Sequence, residues 1–422
     1  MTGLWSQVRA TDPVVRLLCV NQFGINVGFY MLMPYLAAYL TGDLGLAAGV
    51  AGLLLGVRNL SQQGMFFLGG TMADRLGYRP MIIAGCALRT IGFALLAITG
   101  SLPGLIVGMA ATGLAGALFN PAVRAYLAHR AGDRRVESFA VFNVFYQSGI
   151  LAGPIIGLVL VAVADFRLAC AVAAAIFAVL TVLQLRALPP HRPEHGPGEA
   201  GNTEGVWRTW RTVFANRVFL LFGLAMIGSY VLNFQVYLAL PLLLQEHADS
   251  VAAAATTALF AVSGIATLVG QVRITKWCKE HLDRRQSLTS GMCLLAAAFL
   301  PPAVVLWLAP TPAPVVAAAM LSALLLALGT MVVYPFEMDA IVDLAGERNV
   351  GTYYGLYNTM AGIGITVGNL AVGAALDATA GAPALTWIGL AGVGICCAVA
   401  LRVIGPGETS AVPEKELAQA RS

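Results

Sequence analysis

A succession of long apolar runs constrains this chain more than any other feature of its sequence. The runs carry few charges and are separated by short polar or Gly/Pro breaks. Apolar stretches of about 18 residues or more are typical of transmembrane helices. A helix satisfies its own backbone hydrogen bonds in lipid, and these runs do not alternate as β-barrel strands do. The sequence therefore predicts an all-α polytopic membrane protein.

The overall composition agrees with this prediction. Of the 422 residues, 58% are hydrophobic and only 11% are charged, whereas a globular domain has about 25% charged residues. The first run is too long for the core of a signal peptide. We predict twelve transmembrane helices, at residues 14–40, 47–71, 80–99, 104–127, 137–161, 167–187, 217–243, 252–274, 287–308, 313–341, 351–375 and 384–404.

The basic residues of the loops predict the orientation. Lys and Arg concentrate in loops on one side, for example Arg79 and Lys279, whereas the other side has mostly acids such as Asp43 and Asp249. Short cytoplasmic loops carry the excess of Lys and Arg. We therefore expect a multi-pass protein of the cytoplasmic (inner) membrane of a bacterium-like cell, with both termini in the cytoplasm.

A long polar break divides the spans six and six. It is rich in Pro, Gly and charge, which is typical of a flexible linker. We therefore expect an N-terminal six-helix bundle, a cytoplasmic linker, a C-terminal six-helix bundle and a cytoplasmic tail, at residues 1–187, 188–216, 217–404 and 405–422.

The two halves share landmarks at nearly constant offsets. Asn143 is matched by Asn358 at an offset of 215, and Pro121 by Pro335 at an offset of 214. Matches in the same order along both halves indicate a duplication. Two repeated six-helix bundles are typical of transporters that work by alternating access. The prediction is therefore two pseudo-symmetric six-helix bundles.

The 69–80 loop between the second and third spans combines charges with glycines. Glycines permit a tight turn, and a carboxylate here can accept N–H bonds at the N-terminus of a neighbouring helix. The arginines can bridge to carboxylates or helix C-terminal carbonyls of the opposite half, which would make the loop a latch. The alternative is that the charges only fix topology. The residues concerned are Gly70, Asp74, Arg75, Gly77 and Arg79.

The fifth predicted span carries a glycine stripe. Gly149, Gly153 and Gly157 recur at every fourth residue and clear one helix face for close packing. Pro154 removes a backbone donor and can kink the helix. Packing alone accounts for this pattern, and it can also shape a gate.

Both patterns point to one family. The spacing within the 69–80 loop resembles the loop 2–3 signature of the major facilitator superfamily. The glycine stripe with Pro154 resembles the span-five motif of its drug/proton antiporters. Residues 56–64, together with Arg89, resemble the MdtH-type multidrug efflux branch. The resemblance implies the major facilitator fold, a substrate cavity between the halves, and export coupled to inward proton flow.

Two departures from the family pattern concern the proton site. Many antiporters of this group have an acidic residue in span one, where residues 21–26 here read Asn-Gln-Phe-Gly-Ile-Asn. The span-four motif of many relatives contains an arginine, whereas residues 108–123 have no charge. The sequence thus lacks the usual proton carrier at these positions.

Two arginines lie within predicted spans. Arg58 and Arg89 fall near the middle of spans two and three. A cation at this depth costs at least about 2.5–3.5 kcal/mol, so a partner or a cavity is expected. One interpretation is pairing with Gln62, Gln63 or backbone carbonyls. The other is that at least one arginine faces the cavity and favours substrates with an anionic or acceptor group.

Carboxylates are scarcer within the spans. Glu337 and Asp339 lie near the end of span ten, and a partly buried carboxyl group can exchange protons near neutrality. We expect these two residues to couple transport to protons, with Glu337 as the carrier. Solvation at the helix end, or an ion pair with loop arginines, is the alternative.

Polar residues at cavity depth are candidate substrate ligands. Amides can orient a ligand without charge, and aromatic rings can stack on it. Bonds between helices are the alternative role. The candidates are Asn21, Asn26, Tyr30, Arg58, Gln62, Arg89, Asn143, Gln147, Asn233, Gln235 and Asn358.

The sequence therefore favours a monomeric secondary transporter that exports small amphipathic molecules against protons. An uptake or facilitated-diffusion permease for a metabolite is the nearest alternative, and a membrane sensor or enzyme is a third. Nucleotide-binding, nucleophile and metal motifs are absent from the sequence, and its basic residues are dispersed. We expect no catalysis, no cofactor, no metal and no nucleic-acid partner.

Overall fold

The computed structural model describes residues 7–9, 11–189, 205–308, 311–378, 382 and 384–404. Every regular element within these ranges is helical. The predicted tail at 405–422, and most of the predicted linker, lie outside the described residues.

Eight helices form the first half. They build the first six predicted spans, with spans one and two each made of two helices. Their bounds are α1 Pro13–Tyr30, α2 Met33–Ala38, α3 Ala48–Gln63, α4 Phe66–Leu76, α5 Tyr78–Ile98, α6 Leu102–Ala131, α7 Arg135–Val163 and α8 Phe166–Ala187.

Nine helices follow in the remainder of the chain. The first, α9, is short and precedes span seven, and the other eight build spans seven to twelve. Their bounds are α9 Val206–Ala215, α10 Arg217–Phe234, α11 Ala239–His247, α12 Asp249–His281, α13 Arg284–Ala297, α14 Leu300–Leu308, α15 Pro312–Leu344, α16 Val350–Ala378 and α17 Ala384–Ile404.

Apolar length supports membrane crossing. Nine helical segments of the described chain are long and apolar enough to span a bilayer. One of them, Leu102–Val163, has 62 residues and joins α6 to α7, which is enough for two crossings at about 20 residues each. The prediction of an all-α polytopic fold is confirmed.

Four spans are broken where the sequence predicted continuous helices. Span two breaks at Gly64 and Met65. Span seven resumes at α11, whose first turn holds Pro241, and span nine resumes at α14 with Pro301. Span one resumes at α2, which has a proline in its first turn. Proline lacks the N–H for the preceding turn and clashes with its carbonyl, so a helix restarts more easily than it continues there.

The duplicated landmarks occupy equivalent places. Pro121 and Pro335 both lie inside long continuous helices, α6 and α15. Gly153 of α7 lies against Tyr30 of span one, and Gly368 of α16 lies against Val231 of span seven. Each half thus packs its fifth helix on its first, as expected for two pseudo-symmetric bundles.

The end of the predicted linker is helical. The helix α9 is amphipathic, and its Trp210 donates a hydrogen bond from Nε1 to Thr71 Oγ1 at 3.1 Å. Phe67 packs on the ring of Trp210 with centroids 4.9 Å apart. One face of this helix thus packs on span two.

The halves meet at one end of the bundle. This end, called the basic end below, carries the 69–80 loop, the start of α7 and the ends of α12 and α15. There α4 packs against α16, and α7 packs against α12 and α15. On α4, a side chain at Gly70 would come within 2.0 Å of the Gly351 carbonyl oxygen of α16. The two backbones therefore touch.

The same two helix faces separate towards the other end, called the open end below. On span two the contact face continues by helical spacing from Gly70 to Gly56 and Gly52, and a side chain at either glycine would meet nothing within 4 Å. On α16 it continues to Gly373, which is equally unobstructed. These two helices therefore touch at the basic end and lie apart at the opposite end.

The tight contact of α7 on span one gives a prediction of stability. A Cβ at Gly157 would lie 2.0 Å from the Met31 carbonyl oxygen, whereas a Cβ at Gly389 would meet nothing within 4 Å. We expect Gly157→Ala to destabilise the protein by about 1–3 kcal/mol because the helices must move apart. Thermal unfolding of the purified protein in detergent measures this. Gly389→Ala is the control, and equal melting temperatures for both variants would contradict the assignment.

Candidate functional site

Asp74 is the central polar residue of the basic end. It lies in the last turns of α4 and is only 6% exposed. Its Oδ1 accepts from Gly351 N at 2.8 Å, and its Oδ2 accepts from Thr352 N and Oγ1, both at 2.6 Å. These N–H groups belong to the first turn of α16 and have no partner within their own helix. A carboxylate of one half thus caps a helix of the other half.

The turn beside Asp74 is as short as a turn can be. Only Gly77 separates α4 from α5, at a φ of 95° that favours glycine. The 69–80 loop is therefore mostly helical. Tyr78, one residue on, donates from its hydroxyl to Asp74 Oδ1 at 3.3 Å. The tight turn holds both the carboxylate and this donor at the contact with α16.

The arginines of the loop differ from expectation. Arg79 Nη2 donates to the Leu185 carbonyl oxygen at 2.6 Å. Leu185 lies near the end of α8 in the same half, so Arg79 does not bridge to the opposite half as predicted. Its position in the first turn of α5 directs it to the neighbouring α8, which packs along α5. Arg75 is exposed at the end of α4.

The bridge between the halves is made instead by Arg135, at the start of α7. Its Nε donates to Asp339 Oδ1 at 2.7 Å, its Nη2 to Asp343 Oδ1 at 2.5 Å, and its Nη1 to Glu347 Oε1 at 2.8 Å. Arg284 of the second half also pairs with Asp339 and Asp343. Two arginines and three carboxylates thus form an ion-pair cluster across the basic end.

Asp339 belongs to this ion-pair cluster. It was predicted to couple protons together with Glu337, yet both of its oxygens accept from arginines, Arg135 and Arg284. The structure favours the ion-pair interpretation for this residue. A second ion pair, Lys279 with Glu137 at 2.5 Å, adds to the cross-half contacts.

Glu337 has a different environment. It is buried in α15, and the Tyr357 hydroxyl donates to its Oε1. Tyr230 of α10 forms a further hydrogen bond with it, and Arg124 lies near enough to interact electrostatically. Three helices of the second half and one of the first therefore surround this carboxyl group.

Arg124 is a residue that the sequence interpretation missed as a site. It lies in α6 of the first half, and its Nη1 donates to Asn358 Oδ1 of α16 at 2.8 Å. It also hydrogen-bonds Tyr334 of α15. In the sequence, Arg124 is a lone cation after a charge-free stretch. Its partners Tyr334 and Asn358 lie more than 200 residues away along the chain and come close to it only in the fold.

Arg58 and Arg89 both lie close to the aromatic ring of Phe29. The Arg58 Cζ lies 4.5 Å and the Arg89 Cζ 5.6 Å from the centroid of this ring. Arg58 donates to Asn59 Oδ1 at 2.7 Å and to Gln62 Oε1 at 2.5 Å. Within the described part of the chain, neither arginine has a carboxylate partner.

The glycine stripe packs on span one. A Cβ at Gly149 would lie 2.6 Å from the Asn26 Cβ, and one at Gly153 would lie 2.8 Å from the Tyr30 Cβ. Pro154 lies inside the continuous helix α7, and its carbonyl oxygen accepts from the Tyr35 hydroxyl at 2.8 Å. The geometry gives the stripe a packing role.

Most of the candidate cavity amides form bonds between helices. Some of these bonds stay within one half, and the bond of Asn143 joins α7 to α12 across the halves. The pairs are Asn26 with the Tyr146 carbonyl at 2.8 Å, Asn143 with Gln271 at 2.7 Å, Asn233 with Thr330 at 3.2 Å, and Gln235 with Asn369 at 3.2 Å.

Three other candidates differ from these. Asn21 is fully buried, and both polar atoms of its side chain lack a hydrogen-bond partner. Gln147 is half-buried on α7. Tyr30 is hydrogen-bonded to Tyr146 and lies near Arg58 and Tyr237 of the second half. Tyr30 and Arg58 thus lie where the two halves face each other.

These features define a class of protein. Two pseudo-symmetric bundles of membrane-spanning helices meet at one end through charged contacts and separate at the other, which is the architecture of a secondary transporter. The sequence profile of the Major Facilitator Superfamily matches residues 18–369. The chain belongs to this superfamily, a family of transporters rather than enzymes, so the predicted family and fold are confirmed.

Relatives and solved structures agree with this assignment. An uncharacterized MFS-type transporter of Mycobacterium tuberculosis is 52% identical over 92% of both chains. The multidrug resistance protein MdtH of Yersinia enterocolitica is 28% identical over 94% of this chain and 96% of its own. The Escherichia coli fucose:proton symporter superposes with a TM-score of 0.74 at 14% identity, covering 93% and 98% of the two chains. The human organic anion transporter MFSD10 superposes with a TM-score of 0.72 at 17% identity, covering 93% and 100%.

The Asp74 cap predicts the exchange behaviour of two amides. The N–H groups of Gly351 and Thr352 are protected only through Asp74, because first-turn amides lack a partner within the helix. We expect Asp74→Ala to speed their hydrogen–deuterium exchange by about tenfold or more, since a hydrogen bond to a charged group contributes about 1.5–3 kcal/mol. Mass spectrometry of peptides covering the start of α16 measures this.

A matched control is available in the same chain. Asp165 caps α8 by accepting from Leu168 N at 2.7 Å and does not touch the second half. Asp165→Ala is expected to leave the exchange of α16 unchanged. Unchanged exchange at Gly351 and Thr352 in Asp74→Ala would refute the capping contact.

Proposed function

We propose that this transporter exports small amphipathic molecules from the cytoplasm in exchange for protons. The observation that carries the proposal is the buried carboxyl group of Glu337 at the contact between the halves. The Arg124 guanidinium, from the first half, lies within electrostatic range of it. Protonation of Glu337 removes a negative charge from this contact and therefore changes the attraction between the halves.

The environment of Glu337 suits a group that alternates between two protonation states. Tyr357 and Tyr230 donate hydrogen bonds to the carboxylate, and the same hydroxyls can accept from the protonated form. Unlike Asp339, Glu337 has no direct ion pair among the described residues. We assign proton coupling to Glu337 and leave Asp339 to the ion-pair cluster.

The basic end is the cytoplasmic end in this proposal. It holds Arg79, Arg135, Lys279 and Arg284, as the positive-inside rule requires of cytoplasmic loops. The structure then corresponds to an outward-open state with its cytoplasmic side closed by Asp74 and Arg135. We assign the protein to a bacterial cytoplasmic membrane, with both termini on the cytoplasmic side.

Export of drugs is supported by relatives rather than by a ligand contact. The MdtH proteins, at 27–28% identity over at least 89% of this chain, are named multidrug resistance proteins. Tyrosines at the centre, such as Tyr30 and Tyr146, combine an aromatic ring with a polar hydroxyl, which suits the binding of amphipathic molecules. On this similarity we propose that the present chain also exports drug-like molecules.

A pH-gradient assay tests the coupling. We reconstitute the protein in vesicles and follow a fluorescent amphipathic dye together with internal pH. The wild type is expected to move dye and protons in opposite directions. Glu337→Gln is expected to lose gradient-driven dye movement at least about tenfold, because the neutral amide cannot carry a proton. Glu246→Gln, at an exposed acid of the open end, is the control.

Two results would contradict the proposal. Full gradient-driven transport by Glu337→Gln would remove this residue from coupling. Movement of dye and protons in the same direction, or dye movement that ignores the gradient, would favour the alternative of an uptake or facilitated-diffusion permease.

A further inference from the structure

The paired arginines of the first half lack the partner that two buried cations require. Arg89 is 5% exposed in the middle of α5, and its Nε has no hydrogen-bond partner. The Nε of Arg58 is likewise buried without a partner. A buried cation is stabilised by a carboxylate or by strong acceptors, and a charge left without them is costly. The site is therefore electrostatically incomplete.

The contacts that the pair does have are neutral. Arg58 donates to the amide oxygens of Asn59 and Gln62. Arg89 lies over the rings of Phe29 and Phe177, with its Cζ 5.6 and 5.4 Å from their centroids, and it donates no hydrogen bond to a residue of the described chain. Amides and ring faces lower the free-energy cost of burying a cation, but they do not neutralise its charge.

The two guanidinium groups lie close to each other. Both lie within 6 Å of the same Phe29 ring, so their central carbons are at most about 10 Å apart. Like charges at this separation repel each other, and the positive charge of Arg89 acts directly on Arg58. An anion between them would remove the repulsion and would pair with both at once. Guanidinium forks bind planar or tetrahedral oxyanions in this way.

A glycine of α6 lets the helix backbone lie close to the pair. A Cβ at Gly116 of α6 would lie 3.3 Å from Arg89 Nη2 and 3.0 Å from Gln62 Nε2. The missing side chain at this position brings the α6 backbone up to both polar groups. Arg58 is only half-buried, so the pair has an exposed side and a deep side.

The surroundings also indicate what the rest of the ligand is. Tyr30 lies beside Arg58, is hydrogen-bonded to Tyr146, and is near Tyr237 of the second half. Phe260 of α12 packs on Tyr237, with ring centroids 5.2 Å apart. Aromatic side chains of both halves thus stand next to a strongly positive group, an arrangement that suits a ligand with an aromatic or apolar body and an anionic head.

From these contacts we infer that Arg58 and Arg89 form a binding subsite for the oxyanion group of an amphipathic organic anion, a carboxylate or sulfonate on an aromatic body. The inference rests on the proposed function, because it names the substrate class of the same transport pathway. Arg58, at the exposed side, meets the anion first, and Arg89 closes on it from the deep side. The ion pairs that form are worth most where water is excluded.

A matched pair of probes tests the subsite. Naphthalene-2-sulfonate and the uncharged naphthalene-2-sulfonamide have nearly the same shape and differ in charge. Calorimetry on the full chain in lipid nanodiscs, without a proton gradient, measures both affinities. The wild type is expected to bind the sulfonate about tenfold or more tightly than the sulfonamide, as charge-assisted hydrogen bonds require.

Variants assign the preference to the two residues. Arg58→Gln and Arg89→Gln are each expected to lower the preference for the sulfonate by about tenfold while sulfonamide binding stays the same. Arg58→Lys keeps the charge without the fork and is expected to retain part of the preference. Arg402→Gln, at an exposed arginine near the end of α17, is the control and is expected to keep all of it.

Two outcomes would overturn the inference. Equal affinity of the wild type for both probes overturns the inference. This result needs no variant, so it is decisive even if the variants misfold. Retention of the full preference in both Arg→Gln variants overturns it as well. Because no gradient is used, these results are independent of the Glu337 assay. Export can stand while the anion subsite fails, and the reverse also holds.

Discussion

The contact between Asp74 and the first turn of α16 is the interaction on which the closed end of the molecule depends. One carboxylate accepts three hydrogen bonds from Gly351 and Thr352. It also faces the positive end of the helix dipole. The contact is possible only because the backbones of α4 and α16 touch at Gly70 and Gly351. Close packing of the two backbones and the charge of Asp74 therefore stabilise the same contact between α4 and α16.

The charged groups of this protein serve two different purposes according to depth. At the basic end, Arg135 and its carboxylates join the halves through ion pairs. Deeper in the bundle, Glu337, Arg124 and the Arg58–Arg89 pair lie among tyrosines, phenylalanines and amides. Charges at that depth are expensive to bury, which makes them responsive to a proton or a ligand. The charges at the basic end hold the halves together, and the deeper charges can respond to a bound proton or ligand.

The fold was predictable because it follows from the length of apolar runs and from repeated landmarks. The twelve spans and the family were found in this way. The positions of the breaks in spans one, seven and nine were not, although prolines mark them, because Pro121, Pro154 and Pro335 lie in helices that continue. Whether a proline interrupts a helix depends on neighbours that compensate for the lost hydrogen bond.

The site was predictable only where local sequence decides the geometry. Asp74 lies beside a tight glycine turn, and its contact with a helix N-terminus follows from that position. The partner of Arg79 was not predicted, the ion pairs of Asp339 were expected only as an alternative, and Arg124 and Arg135 were missed, because the partners come from distant parts of the chain. The carboxylates that hold Arg135 lie more than 200 residues away. No spacing rule identifies such a neighbour.

The central claim is that the halves move as two bodies, so that opening one end closes the other. Spin labels at exposed positions test it most directly, with one pair at the basic end (Asp133→Cys and Glu280→Cys) and one at the open end (Asp43→Cys and Asp249→Cys). Distances between labels are compared with Asp74 intact and with Asp74→Asn. The account predicts that Asp74→Asn lengthens the first distance and shortens the second. No change at the open end, or lengthening at both ends, would contradict it.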